Sequence, residues 1–261
     1  MTPTLVVLCF WLLFGGTHLA LGSPPLRDVL VRRLGERRFA LLYTAVAAIT
    51  LTLLAAAVAR FGGQGVAGAG LTAMPAARWA LAAMAFAGAV LTVAGFISYF
   101  RSPMAFLRRT RGRPASDAPV ALRAPSGVER ITRHPFFVGT ALLMGAHALM
   151  AGTLAGAVYF AGFVVLALAG IPMQDRKFRA LHGGAYANYE AATSALPFAS
   201  QGVSRSGWRW LIAPVLIAAG VVLLHPLWRL GHGAAFALLA VIGGLYAVAR
   251  QFRLAMVQHS K

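Results

Sequence analysis

Acidic side chains are scarce in this sequence, which has six aspartates and glutamates among 261 residues. None falls in the middle of an apolar run, so the chain lacks the residues for paired-carboxylate hydrolysis, acid-driven proton pumping or a di-iron carboxylate core. Charged residues of both signs make up 11% of the chain, against about 25% in soluble domains, whereas 59% are hydrophobic. The composition predicts a membrane protein.

Cysteine is nearly absent as well. Cys9 is the sole cysteine, so no intrachain disulfide can form and cysteine usage does not indicate a redox compartment. The N-terminus lacks the basic segment that opens a secretory signal, and its basic cluster follows the first apolar run instead. That order is typical of a retained membrane span.

Seven apolar stretches are long enough, or nearly so, to cross a hydrocarbon layer of about 30 Å. They cover about 3–21, 39–59, 77–99, 135–151, 154–173, 209–226 and 233–250. We therefore predict an all-α, polytopic transmembrane helical bundle of about seven spans. The fourth and fifth stretches meet at 151–153, which predicts a tight helical hairpin.

The basic residues indicate how these spans are oriented. Twenty-one of the 24 lysines and arginines fall between spans on one side or in the C-terminal tail. The positive-inside rule then predicts an external N-terminus and a cytoplasmic C-terminus. The net charge of +18 is explained by this arrangement rather than by binding to nucleic acid. Segment 108–127, rich in Pro, Ser and Arg, is expected to lie on the cytoplasmic membrane surface.

Two histidines fall within predicted spans. At 1.5 Å per residue, His18 lies about 13 Å from the nearest cytoplasmic arginine and His147 about 21 Å from its own. Three interpretations are open: both ligate one haem, each packs against a backbone carbonyl or hydroxyl, or they carry protons. The other histidines fall at interfaces, in loops or in the tail: His134, His182, His225, His232 and His259.

The tripeptide Arg133-His134-Pro135 also has two interpretations. Proline suits the first turn of a helix and arginine can anchor at lipid phosphate, so the tripeptide could be a helix-start anchor. It could instead share a cytoplasmic polar site with residues 174–177, which include Asp175 and Arg176. A hydrolase built from Ser194, His134 and Asp175 is disfavoured, because no nucleophile-elbow glycine pattern surrounds the serine.

Several stretches together resemble the NnrU family of bacterial inner-membrane proteins, which includes plant-type 15-cis-zeta-carotene isomerases. They are THLALGSPPLR (17–27), RRLGERRFALLYT (32–44), ERITRHPFFVGTALLMGAHALMAG (129–152), DRKFRALHGGAYANYEAATSALPFA (175–199) and LHPLWRLG (224–231). The resemblance covers about residues 1–232 as one transmembrane domain. Residues 233–261 then form an additional C-terminal helix and basic tail within the same structural unit.

The resemblance implies a multi-pass bacterial inner-membrane protein. In the isomerase branch it also implies haem b with two axial histidines, which correspond by position to His18 and His147. The second lies in a Cys-x-x-His stretch in that branch, where the cysteine is thought to be an alternative ligand. Met144 stands in its place here, and a thioether can also ligate haem iron. An apolar or lipid-like substrate, a link to nitrogen-oxide metabolism and contacts with respiratory or denitrification proteins are further expectations.

Two alternatives come from different classes of protein. RHPFFVG, followed by GGAYANYEAATSALPF, is similar to isoprenylcysteine and phospholipid methyltransferases, which would imply S-adenosylmethionine at His134, Gly139, Tyr186 and Tyr189. The paired glutamates of those enzymes are replaced here by Asp175, Arg176 and Lys177. The other alternative is a non-catalytic membrane accessory or assembly protein. The cytoplasmic polar site predicted for any of these functions comprises Arg133, His134, Asp175, Arg176 and Ser194.

Overall fold

The protein folds into α-helices throughout the part that the computed structural model describes, which is residues 1–101, 124–199, 208 and 210–225. The helices are α1 (Pro3–Gly22), α2 (Pro24–Leu34), α3 (Glu36–Phe61), α4 (Pro75–Arg101), α5 (Pro135–Met150), α6 (Leu154–His182), α7 (Gly184–Ala191) and α8 (Ile212–Leu224). Residues Met1–Ala218 form one compact unit. The predicted all-α class is confirmed.

Four of these helices, α1, α3, α4 and α6, are long and apolar enough to cross a membrane. They match the first, second, third and fifth predicted spans. The fourth span corresponds to the shorter α5, and α8 lies inside the sixth. The seventh span and the predicted boundary at residue 232 lie outside the described residues, so the total of seven spans stays a prediction.

Two helical segments were not predicted. Residues 22–38 lie between the first two predicted spans, but they contain α2, which begins with proline at its first helical positions and ends at Leu34, before Gly35. Helix α6 continues nine residues past the predicted end of its span and stops at Gly183, whose φ of 52° breaks the helix. This extension carries Asp175 out of the connecting loop and onto a helix.

Helices α1, α3 and α6 share an aromatic and aliphatic core. Trp11 is 5% exposed and its indole Nε1 donates to Tyr159 O at 2.8 Å, which ties α1 to α6. A side chain at Gly162 would collide with the Trp11 ring, and Gly22 lies near the Met173 side chain. The two contacts are eleven residues apart on both helices, so α1 and α6 run parallel.

Helices α4 and α5 approach each other at glycines. A Cβ added at Gly139 would clash with Thr92 N and lie 2.7 Å from Gly88 O, and one at Gly95 would clash with Phe136 N. Small residues permit such backbone contact between membrane helices, where packing rather than the hydrophobic effect drives association. The position of α5 is therefore fixed along its length by α4.

The connecting segments meet at two opposite ends of this helical unit. At one end the predicted hairpin at 151–153 is confirmed, and it pairs with the α3–α4 connection through Gly68 N to Gly152 O at 3.0 Å and Leu154 N to Val66 O at 2.8 Å. At the other end, the segment before α5 meets the segment after α7. The candidate site lies at this second end.

Candidate functional site

The site is a cluster of charged and polar side chains at the start of α5. Arg133 and His134 immediately precede the helix, and His134 is its N-cap residue. Asp175 comes from the extension of α6, and Tyr186 and Glu190 come from α7. We call these five residues the α5 cluster.

Backbone hydrogen bonds hold the segment that carries Arg133 and His134. Arg133 N donates to Ser194 O at 2.8 Å, and Phe198 N donates to Ile131 O at 2.9 Å. The fully buried Thr132 adds a bond from its Oγ1 to Ala195 O at 2.8 Å. The segment is therefore fixed to the chain that follows α7 before any side-chain contact is made.

Asp175 is the centre of the α5 cluster. Its Oδ1 accepts from Tyr186 OH at 2.6 Å, from His134 Nε2 at 2.7 Å and from Arg133 Nε at 3.2 Å, while its Oδ2 accepts from Arg133 Nη2 at 2.8 Å. Asp175, His134 and Tyr186 are 4%, 2% and 1% exposed. A carboxylate this buried is stable only when its oxygens are bonded, and here each oxygen is.

Glu190 extends the cluster towards solvent. It lies 3.4 Å from Arg133 Nη2 and pairs with the more exposed Arg179 through two bonds of 2.7 and 2.8 Å. The hydrogen bonds from Arg179 keep the pKa of Glu190 below its ordinary value. Two arginines and two carboxylates thus balance one another in charge.

The uncharged members of the cluster stay uncharged near neutral pH. Burial lowers the pKa of His134, and Asp175 offsets part of that shift. Burial together with donation to Asp175 raises the pKa of Tyr186 far above the ordinary value. Neutral His134 therefore donates its Nε2 proton to Asp175, which places the lone pair on Nδ1.

The structure brings three of the five predicted cytoplasmic site residues together: Arg133, His134 and Asp175. Ser194 contributes its carbonyl to Arg133 N, but its hydroxyl accepts from Leu196 N rather than facing His134, so the serine–histidine–aspartate arrangement is not assembled. Arg176 is exposed and does not join the cluster. Glu190 was missed, and Tyr186 was noted only for its methyltransferase-like motif.

His18 and Tyr43 form a polar pair between the membrane helices α1 and α3. The Tyr43 hydroxyl lies 2.9 Å from His18 Nε2 and 3.2 Å from Nδ1. The aromatic ring of Phe14 packs on the imidazole at a centroid distance of 5.5 Å. His18 thus has a defined polar partner within an otherwise apolar interface.

His147 lies on α5, near its external end by the predicted orientation, and faces α6. Its Nδ1 donates to Leu143 O at 2.8 Å, and its ring lies 5.2 Å from that of Phe160. Met144 is one turn earlier on the same helix. The described contacts give His18 and His147 different neighbours, since His18 contacts α3 and His147 contacts α6.

The model of the family described as NnrU protein matches residues 5–248 of this chain. The chain belongs to the NnrU family. A curated relative, the chloroplastic 15-cis-zeta-carotene isomerase of Arabidopsis thaliana, is 30% identical over 200 residues, which are 76% of this chain and 51% of the relative. The chain therefore spans about half the length of that protein. No solved structure matches the chain.

Four of the NnrU-like stretches identified in the sequence meet in pairs in the structure. The first two, at 17–27 and 32–44, supply His18 and Tyr43. The next two, at 129–152 and 175–199, supply all five residues of the α5 cluster. The α5 cluster and the His18–Tyr43 pair thus both lie within the stretches that resemble the family.

Proposed function

We propose that this NnrU-family protein is a membrane-embedded haem b protein that acts on an apolar polyene lipid in an isomerase-like reaction. The observation that carries the proposal is the likeness to a relative named as a 15-cis-zeta-carotene isomerase. The bond from His147 Nδ1 to Leu143 O and the contact between His18 and Tyr43 are also what the packing interpretation predicts, so they do not distinguish ligation from packing. Donation from His147 Nδ1 would make Nε2 the nitrogen that could bind a metal, and proteins commonly orient a ligating imidazole in this way.

The chemistry of the donor set fits the cofactor, but the two imidazoles do not face one haem in this structure. The parallel register of α1 and α6 puts His18 about nine residues, ~13 Å, from the level of Phe160, which His147 contacts. Haem b takes neutral imidazoles as axial ligands, and His18 and His147 are imidazoles on apolar helices. The Tyr43 hydroxyl lies within hydrogen-bond distance of both nitrogens of His18, so ligation by His18 would require the hydroxyl to leave one of them. Haem would supply a redox-active iron, while the chain's own residues orient the imidazoles and exclude water from them.

The substrate class follows from the relative's printed name and from the residues available. Isomerisation of a polyene conserves every atom and all electrons, so it needs no hydrolytic carboxylate pair and no covalent nucleophile. The chain has six acidic residues and none in the middle of a predicted span, so reactions that need carboxylates lack their residues there. A substrate dissolved in the bilayer could reach helices whose outer surfaces are apolar, such as Leu12 of α1, which is 67% exposed.

Three further expectations belong to this proposal. They are residence in a bacterial inner membrane, a role in nitrogen-oxide metabolism, and contacts with respiratory or denitrification proteins. Family membership supports them only in general terms, and the isomerase-like reaction has the more specific support because it corresponds to a relative of stated activity.

The test is absorbance of the purified full-length protein from cells supplied with a haem precursor. We expect a Soret band whose intensity falls by at least about half in His147→Ala and in His18→Ala, because each change removes a proposed axial ligand. His182→Ala is the matched control, since it removes an imidazole beyond the apolar part of α6. A second readout is the conversion of a 15-cis polyene in cells that accumulate it.

An unchanged spectrum in both span variants would contradict the ligand assignment, and the absence of a band would contradict haem binding. Saturable binding of S-adenosylmethionine that is lost in His134→Ala would support the methyltransferase alternative instead. The α5 cluster argues against that outcome, because both carboxylates already accept from arginines. If the protein bound neither haem nor S-adenosylmethionine, that result would favour the accessory role.

A further inference from the structure

Helix α2 is a short surface helix between two membrane spans. It follows α1 after the single residue Ser23, precedes α3 after the single residue Gly35, and has no buried residue. Its exposed side chains include two aliphatic ones, Leu26 and Val29, which are 38% and 37% exposed. These two side chains are three residues apart and form a small apolar strip on a helix that joins two apolar helices.

The two sides of α2 differ in their surroundings. Leu26, Val29 and Arg33 follow one another at intervals of three and four residues, so they share one side of the helix, and all three are exposed. Arg27 instead lies over the Phe39 ring of α3, 5.7 Å from its centroid. The helix therefore packs on α3 and presents an outer side that is aliphatic at its first turns and cationic at its last.

The cationic end of α2 continues into α3. Gly35 has a φ of 78°, and this turn brings the last turn of α2 next to the first turn of α3. Arg32, Arg33, Arg37 and Arg38 are all exposed within seven residues; we call them the arginine corner. The neighbouring acids are Glu36 and Asp28, and Asp28 lies 3.6 Å from Arg27. The corner thus keeps a clear excess of positive charge.

The position of the arginine corner indicates which kind of anion it would bind. Helices α1 and α3 are both long and apolar enough to cross a membrane, so the segment that joins them would lie where hydrocarbon gives way to water. Phosphate groups of lipids are concentrated at this depth, and aliphatic side chains beside cationic ones suit the boundary between head groups and acyl chains. A free phosphate or a nucleic-acid backbone has no acyl chain that could pack against Leu26 and Val29.

We propose that α2 and the arginine corner form a binding surface for anionic phospholipids, with Leu26 and Val29 against the acyl chains and the arginines at the head-group phosphates. The proposal does not depend on haem or on the reaction. The occupant is a lipid rather than a soluble anion.

The test uses the full-length protein in a neutral detergent, with bound phosphatidylglycerol and phosphatidylcholine compared by native mass spectrometry. We expect the wild type to prefer phosphatidylglycerol, and Arg32→Gln/Arg33→Gln to lower that preference about fivefold or more, since each arginine near a surface contributes substantially to anionic lipid binding. Arg60→Gln/Arg78→Gln is the matched control. It removes the same charge at the opposite end, where each arginine lies over its neighbouring aromatic ring.

A second readout places α2 relative to the bilayer. A fluorophore on Val29→Cys in a Cys9→Ser background, reconstituted in vesicles, should be quenched by lipids spin-labelled near the head group. Circular dichroism verifies that each variant keeps its helix content. An equal loss in both arginine pairs, loss of the preference on adding inorganic phosphate, or quenching of the label only by a water-soluble quencher would each overturn the proposal.

Discussion

At the scale of single residues, Asp175 determines whether the α5 cluster holds together. We expect Asp175→Asn to lower the free energy of unfolding by about 3 kcal/mol, because the largely buried Arg133 would lose its closest carboxylate and keep only the longer contact with Glu190. Asp28→Asn, the same change at an exposed ion pair, should cost less than about 0.5 kcal/mol. Thermal unfolding of the two purified variants measures the difference, and equal losses would show that the cluster does not stabilise the fold.

The same residue explains why the α5 cluster could be predicted only in part. The proximity of Arg133 and His134 to Asp175 was suggested by their common position at one membrane face. Tyr186 reaches Asp175, and Glu190 reaches Arg179, because Gly183 ends α6 and lets α7 turn back. Helical periodicity does not bring residues eleven apart on two different helices together. The contact between Asp175 and Tyr186 therefore depends on the turn at Gly183.

At the scale of helices, the α4–α5 contact depends on the absence of side chains. Gly139→Ala should lower the free energy of unfolding by about 1–3 kcal/mol, because a Cβ there meets the α4 backbone, which cannot move aside as a flexible side chain would. Gly16→Ala is the matched control in α1, where a Cβ would meet nothing within 4 Å. That change should be neutral or slightly stabilising, since alanine favours a helix.

Thermal unfolding of both glycine variants checks this prediction. If Gly16→Ala were as damaging as Gly139→Ala, the cost would come from α-helical glycines in general and not from the contact with α4. A change in the chemical shifts of the His147 imidazole in Gly139→Ala would show that the contact with α4 also sets the position of this histidine.

Helix boundaries differed in how well the sequence predicted them. The long spans were predicted within a few residues, because the bilayer fixes the length of an apolar helix. Hydropathy did not detect α2 or the end of α6, since both are polar. Helix-boundary signals were nevertheless present: Ser23 and Pro24 mark the start of α2, and Gly35 and Gly183 mark the ends of α2 and α6. A search for caps rather than apolar runs would have found them.

At the scale of the whole described unit, the contacts between connections agree with the predicted alternation of spans. Segment 66–70 meets residues 151–154, and the segment before α5 meets the segment after α7. Each pair was predicted to share one side of the membrane. The structure thus fixes which connections lie together, while the distribution of arginines predicts which pair faces the cytoplasm.

Labelling of single cysteines tests that orientation. In a Cys9→Ser background expressed in a bacterial inner membrane, a membrane-impermeant maleimide should label Gln64→Cys in intact spheroplasts, because Gln64 is exposed in the α3–α4 connection. Asn188→Cys, exposed on α7 beside the α5 cluster, should be labelled only after lysis. The reverse pattern would invert the topology and place the arginine corner outside. Labelling of both before lysis would contradict the assignment of these segments to opposite sides.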